Sequence, residues 1–169
     1  MAPDRLDDGF DSHTLRQALG RFATGVTIVT TTAADGSPVG LTVNSFASLS
    51  LEPPLVLWSL RLGSPRLAAF ESATHFAINV LAETQVELSR RFATPQAAGG
   101  KFDEGAWTPG LGGAPVLAGC AAVFECEKVA SHEGGDHRLY IGRVRRLADI
   151  AVAPLLFQGG RYHMLGEVL

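Results

Sequence analysis

The sequence predicts a mainly β fold, a small closed or split β-barrel of antiparallel hairpins with a few peripheral helices. Three observations predict it. Nineteen glycines and nine prolines in 169 residues supply turns at a density that a helical bundle does not use. The most strongly patterned stretches are extended, and residues 26–32 (Val-Thr-Ile-Val-Thr-Thr-Thr) are β-branched at every position. Two pairs of such stretches are separated by tight-turn signals, Asp35-Gly36 in one and Gly134-Gly135-Asp136 in the other.

Taken in order, residues 1–11 are polar and read as a disordered tail ahead of one folded domain spanning 12–169. Ser12 has the side chain of a helix N-cap, and Leu15, Ala18, Leu19 and Phe22 follow at helical spacing, with Gly25 as the stop. Strand 26–32 turns through Ala34-Asp35-Gly36-Ser37 into strand 38–44. A short extended segment, 46–50, ends at Glu52-Pro53-Pro54. The continuous apolar run 55–60 predicts a strand covered on both faces. Ser64-Pro65 predicts a capped helix to about Ser72, with proline at its first position. Residues 75–81 predict a strand and 83–92 an amphipathic helix. Residues 93–114 hold six glycines and little periodicity; at roughly 20 residues this is longer than an ordinary connection and points to function or a partner contact. Long strands at 118–131 and 137–150 and short ones at 154–158 and 161–165 complete the chain.

Composition excludes several classes. Hydrophobic content of 46% against 18% charged describes a packed core rather than a disordered chain. A net charge of −3 leaves no basic face for nucleic acid. Cys120 and Cys126, if on one strand, stand roughly 20 Å apart at about 3.3 Å per residue, too far for a disulfide. Two reduced thiols, the absence of a signal-peptide pattern at the start of the sequence and the absence of a membrane-length apolar run predict a cytoplasmic protein away from the membrane. The histidines and cysteines lack metal-ligand spacing, so no metal site is expected. Gly110-Leu111-Gly112-Gly113 lacks the Lys-Ser/Thr of a phosphate loop, and neither a dinucleotide-binding G-x-G-x-x-G nor a hydrolase G-x-S-x-G occurs in its required context.

The stretch from Gly40 to Pro65 carries the chemistry. Thr42, Asn44, Ser45, Ser48, Ser50, Ser59 and Ser64 punctuate an otherwise apolar run. Such hydroxyls and amides serve equally to satisfy turns and sheet edges or to hold a ligand rich in acceptors. Other motifs decide between the two. Arg21-Phe22-Ala23-Thr24-Gly25-Val26-Thr27, Leu41-Thr42-Val43-Asn44-Ser45-Phe46-Ala47-Ser48, Phe76-Ala77-Ile78-Asn79-Val80, Arg90-Arg91-Phe92-Ala93 and Gly135-Asp136-His137 with Tyr140-Ile141-Gly142-Arg143-Val144 occur in this order. Over residues 14–165 the chain thereby resembles the flavin reductase-like family, the short-chain NAD(P)H:flavin oxidoreductases of two-component monooxygenases.

That resemblance implies an FMN-binding split barrel of antiparallel Greek-key type, a homodimer, and flavin sites near the subunit interface. It implies hydride transfer from NADH or NADPH to N5 of FMN or FAD, with reduced flavin passed to a partner monooxygenase. By the same resemblance Thr42, Val43, Asn44, Ser45, Ser48, Leu49 and Ser50 are flavin contacts, Ser59, Ser64, Arg91 and Phe92 are further ring and phosphate contacts, and Asp136, His137 and Tyr162 lie on the nicotinamide side, with His137 as the catalytic residue, placed beside the nicotinamide to donate to its carboxamide or shape the pocket. Direct hydride transfer needs alignment and electrostatics rather than a covalent nucleophile. Two other functions fit the same residues: a flavin-dependent reductase of another acceptor, such as a metal chelate or a corrinoid, and a flavin-binding protein without catalysis.

Overall fold

The computed structural model describes residues 9–95, 101–102 and 107–169. The predicted tail lies outside the described residues except for Gly9–Asp11, as does part of the predicted glycine-rich connection. The elements are α1 (Ser12–Leu19), β1 (Thr24–Gly25), β2 (Thr27–Thr32), β3 (Pro38–Val43), β4 (Ala47–Leu51), β5 (Pro54–Arg61), α2 (Leu67–Ser72), β6 (His75–Val80), α3 (Val86–Ala93), β7 (Trp107–Pro109), a 3-10 turn (Leu111–Gly113), β8 (Pro115–Leu117), β9 (Ala122–Gly134), β10 (His137–Asp149), β11 (Leu156–Gln158) and β12 (Arg161–His163).

Seven strands form one antiparallel sheet in the order β3-β2-β6-β9-β10-β5-β4. The chain steps from one edge of this sheet, β3, to the other, β4, in three residues: Asn44, Ser45 and Phe46. The sheet must therefore curl until its two edges almost meet, and no ladder joins them. The result is a split barrel. Strands β1, β11 and β12 make a small second sheet, and β7 pairs with β8.

Alternation along β2 shows where the core lies. Val29 packs with Val56, Trp58, Leu60, Phe70, Phe76, Ile78, Cys126 and Tyr140 on one face. Its neighbour Ile28 packs with Leu81, Phe92, Phe102, Leu117 and Cys120 on the other. Covered on both faces, β2 is the continuous β-branched run that the sequence shows. In β5, by contrast, Val56, Trp58 and Leu60 are buried while Leu55, Leu57 and Ser59 are half-buried, so only one face is fully covered. Gly142 on β10 is required by close approach: a Cβ there would sit 2.4 Å from the ring of Phe76 and 2.9 Å from Cys126.

Four local expectations are corrected. Asp11, not Ser12, caps α1, its Oδ1 accepting from the Thr14 amide at 2.7 Å. That helix ends at Leu19 with Gly20 as cap, because Thr24-Gly25 is taken up by pairing with β11. Ser64 sits three residues ahead of the first residue of its helix, Oγ accepting from the Arg66 amide at 3.2 Å. Helix α3 begins at Val86, since the Gln85 side chain turns back to accept from the Ala82 amide.

The cysteines occupy different clusters because Cys120 precedes β9 and Cys126 lies within it. Both are free, and burial pushes their thiols up to about 11 and about 12. A thiol-reactive dye should therefore label neither in native protein at neutral pH and two per chain in denaturant. Rapid native labelling would show that these packing clusters open readily.

Candidate functional site

At the seam of the split barrel, the Ser45 side chain ties the link between β3 and β4 to β5. Ser45 Oγ accepts from the Ser59 amide at 3.0 Å and donates to the Ser59 carbonyl at 3.1 Å. A hydroxyl thus stands where a sheet ladder would otherwise continue onto β5. Thr42 Oγ1 ties the other side of the seam to α3, donating to the Ser89 carbonyl at 2.7 Å. As an edge strand, β3 leaves the backbone groups of its outer side unpaired by any strand.

A cleft of about 470 Å3 opens along this seam. Thr42, Val43, Asn44 and Ser45 form one wall, Ser59, Leu60, Arg61, Ser64 and Arg66 another, and Ala93 and Pro95 a third side. His137 also lines it. It is placed there by register, since it opposes Arg61 where β10 pairs with β5. The turn before it is pinned by the Leu62 amide, which donates to the Asp136 carbonyl at 2.9 Å. His137 Nδ1 lies 2.7 Å from Asp136 Oδ1. That hydrogen bond, with the histidine charge, holds the Asp136 carboxyl below its usual range.

Of the residues predicted from sequence, the fold gathers Thr42, Val43, Asn44, Ser45, Ser59, Ser64 and His137 around this cleft. It sets the others apart. Ser48 and Leu49 are exposed and Ser50 half-buried on edge strand β4, where a bulge interrupts pairing with β5. Phe92 is 1% exposed and packs edge-on to Phe102 at 5.0 Å, and a Cβ on Gly40 would come within 2.9 Å of its ring. Its side chain is core, because helical spacing turns it inward from α3. Arg91, half-buried on the same helix, stands outside the cleft lining, as do Asp136 and Tyr162. The Tyr162 hydroxyl shares a 2.9 Å hydrogen bond with Ser89 Oγ, which connects it to Thr42 through Ser89.

Sequence reasoning missed the two cations of the cleft, Arg61 and Arg66. The signal for Arg66 was its place directly after Ser64-Pro65. Read as the first turn of a surface helix, it gave no reason to expect a half-buried guanidinium. Its Nη2 donates to the Thr94 carbonyl at 3.2 Å, and burial lowers its pKa. Among the described residues no group of three or more histidines, cysteines or acids is placed to hold a metal ion.

A polar seam with donors on one wall and guanidinium groups on the other fits an anionic ligand rich in acceptors. The comparisons agree. Residues 19–166 match the model of the flavin reductase like domain. The chain is 49% identical over 154 residues to the FMN reductase (NADH) SmoA of Agrobacterium fabrum, covering 91% of this chain and 86% of that protein. It is 44% identical over 156 residues to HsaB of Rhodococcus jostii, the reductase subunit of a flavin-dependent monooxygenase, covering 92% and 78%. Among solved structures, the NADH:FAD oxidoreductase SgcE6 of Streptomyces globisporus C-1027, in complex with NAD and FAD fragments, superposes with a TM-score of 0.89 at 36% identity, covering 96% of this chain and 98% of that one. By fold, by motif order and by the extent of these matches, the chain belongs to the flavin reductase like domain family.

Proposed function

We propose that the chain is an NAD(P)H:flavin oxidoreductase that reduces FMN or FAD and supplies reduced flavin to a separate monooxygenase. The observation that carries this reading is the seam cleft: seven of the sequence-predicted contacts converge there, in a fold shared with SgcE6 and a sequence related to SmoA and HsaB. When bound, the cofactors supply the redox chemistry, hydride leaving the nicotinamide for flavin N5.

The chain's own contribution is alignment and charge. Backbone N–H groups of Thr42–Phe46, outside the ladder on their outer side, and the Ser59 hydroxyl would serve the acceptor edge of the ring, while the Thr42 and Ser45 hydroxyls, already donating to the Ser89 and Ser59 carbonyls, hold that wall in place. Arg61 and Arg66 give the opposite wall a positive potential suited to phosphate. His137, oriented by Nδ1–H donation to Asp136, stands on the nicotinamide side, where Nε2 of the neutral ring is an acceptor for the carboxamide N–H of the nucleotide. We assign the homodimer to the same reading, supported by the exposed apolar side chains of Leu19, Phe22, Leu147 and Ile150.

Anaerobic titration with NADH and NADPH in the presence of FMN or FAD tests the function. Bleaching of the flavin by at least one of them, with steady-state turnover that saturates in flavin, is expected. Bound flavin that neither nucleotide bleaches would identify a carrier without catalysis. Bleaching with negligible turnover on free flavin would identify a reductase of another acceptor.

His137→Ala should raise KM for the nicotinamide nucleotide roughly tenfold, the equivalent of one hydrogen bond of about 1.4 kcal/mol, and leave flavin affinity within about twofold. A variant that lost flavin instead would move His137 to the flavin side.

A further inference from the structure

Serine is a poor choice for the buried middle of a helix, since it packs little apolar surface and its hydroxyl competes with the backbone. Ser89 nevertheless stands midway along α3, fully buried. A hydroxyl removed from water costs free energy unless it is paired. Its partner is the Tyr162 hydroxyl, 2.9 Å away. The Ser89 carbonyl meanwhile accepts from Thr42 Oγ1 at 2.7 Å, on the wall of the seam cleft. One residue of α3 thus receives β12 on its side chain and β3 on its backbone.

The tyrosine is held for that bond. Its ring packs edge-on to Phe157 at 5.5 Å, and the Arg90 guanidinium stands 5.8 Å from its centroid. Phenylalanine would make the same ring contacts. What tyrosine adds is the hydroxyl, and the hydroxyl goes to Ser89.

These bonds close a circuit. The β2–β3 ladder places Thr42 opposite Ile28. Just ahead of β2, Thr24 on β1 opposes Phe157 on β11, and Phe157 opposes Tyr162 on β12. From Tyr162 the path returns through Ser89 to Thr42. β3 is an edge strand with a ladder on one side only. The circuit gives it a second hold that does not depend on that ladder.

We propose that Tyr162 is a positioning residue of the flavin wall: acting through Ser89, its hydroxyl fixes Thr42, and with it the outward backbone N–H groups of the seam, where the acceptor edge of the flavin ring meets them. The proposal rests on the flavin reading of the seam cleft. It moves Tyr162 from the nicotinamide side, where the resemblance put it, to the back of the flavin wall, outside the cleft lining. Hydrogen bonds weaken steeply with distance and angle, so a wall that has lost this hold binds flavin less tightly. His137 belongs to β10 and lies outside the circuit, so the nucleotide side is untouched.

Wild-type protein, Tyr162→Phe, Ser89→Ala, the double variant and Phe157→Leu are each titrated with FMN and FAD by calorimetry, and KM for NADH and NADPH is measured. Thermal unfolding confirms that the variants are folded. Tyr162→Phe and Ser89→Ala should each raise the flavin Kd about fivefold to tenfold, the equivalent of one buried hydrogen bond, with KM for the nucleotide within about twofold of wild type. The double variant should bind flavin no more weakly than the weaker single variant, because both break the same link. Phe157→Leu loosens the packing on the Tyr162 ring and leaves its hydroxyl in place. It should lower the melting temperature yet hold the flavin Kd within about twofold. An unchanged flavin Kd in Tyr162→Phe, single effects that multiply in the double variant, or an equal loss of flavin in Phe157→Leu overturns the proposal and leaves the bond a role in stability alone. A rise in nucleotide KM at unchanged flavin Kd overturns it in favour of direct contact with the nucleotide. Failure of the wild type to bind either FMN or FAD overturns the flavin reading and, with it, this extension.

Discussion

Trp58→Ala is expected to lower the unfolding free energy by about 3–5 kcal/mol, the range for deleting a large aromatic ring from a close-packed interior. Trp58 is fully buried at the centre of the barrel core. Its ring meets Phe70 edge-on at 4.8 Å and Phe76 edge-on at 5.9 Å, and stacks on Tyr140 at 5.0 Å. Three aromatic neighbours from α2, β6 and β10 cannot all collapse into the space it leaves, so the cavity term is large. Trp58→Phe provides the contrast. The indole Nε1 is buried without a hydrogen-bond partner among the described residues, so losing it removes a desolvation cost, and a net effect below about 1.5 kcal/mol is expected. Chemical unfolding curves of the two variants check both values. Equal losses would mean that the indole nitrogen, and not ring volume, holds this site together.

Asn79→Leu carries the second large effect. Asn79 is fully buried on β6. Its Nδ2 donates to the Ile28 carbonyl at 3.0 Å and to Thr30 Oγ1 at 3.2 Å, and its Oδ1 accepts from the Leu117 amide at 2.9 Å. The Pro115 carbonyl is served in addition by Thr30 Oγ1 at 2.5 Å. This amide therefore clips β8 against the back of the barrel. Leucine has similar volume and no polar atoms, so it strands the Leu117 amide and weakens the cover of the Ile28 carbonyl. At about 1–3 kcal/mol per stranded group, a loss of about 2–4 kcal/mol is expected. Amide hydrogen exchange at Leu117 should accelerate more than exchange in β2. A loss under about 1 kcal/mol with unchanged exchange at Leu117 would show that β8 is held by its apolar contacts alone.

These two residues also show what the sequence could and could not tell. Strand β2 was legible because both its faces are buried and its residues are β-branched throughout. The β2–β3 hairpin was legible from Asp35-Gly36, whose geometry is local: Asp35 accepts from Ser37, and Gly36 takes a φ of 84°. Strands β7 and β8 were not legible. They are three residues each, and β8 is fixed by Thr30 and Asn79, which lie far earlier in the chain. No period within residues 93–114 could carry that information.

The site divides in the same way. Thr42, Asn44, Ser45 and Ser59 stood out because polar residues interrupt an apolar run, and they meet at the seam. Phe92 was placed at the ligand by its motif, yet its side chain faces Phe102 and Gly40. A motif fixes neighbourhood, and only packing fixes the direction in which a side chain points. Arg66 and Lys101 escaped notice for the complementary reason. Single cations in polar stretches look solvated until the fold brings two of them to one carbonyl.

The pairing of β5 with β10 has a kinetic consequence. It joins residues 55–61 to residues 137–143, whereas the β2–β3 and β9–β10 hairpins close over short turns. Closing so long a loop is entropically expensive, and contacts of this kind reward it late. Both hairpins can form before β10 docks on β5. His137 joins the cleft lining only at that docking, because its place opposite Arg61 is set by that ladder and by the Leu62–Asp136 hydrogen bond beside it. Cofactor bound against this wall should accordingly act as a latch on the last step: it should slow unfolding while leaving the rate of hairpin formation unchanged.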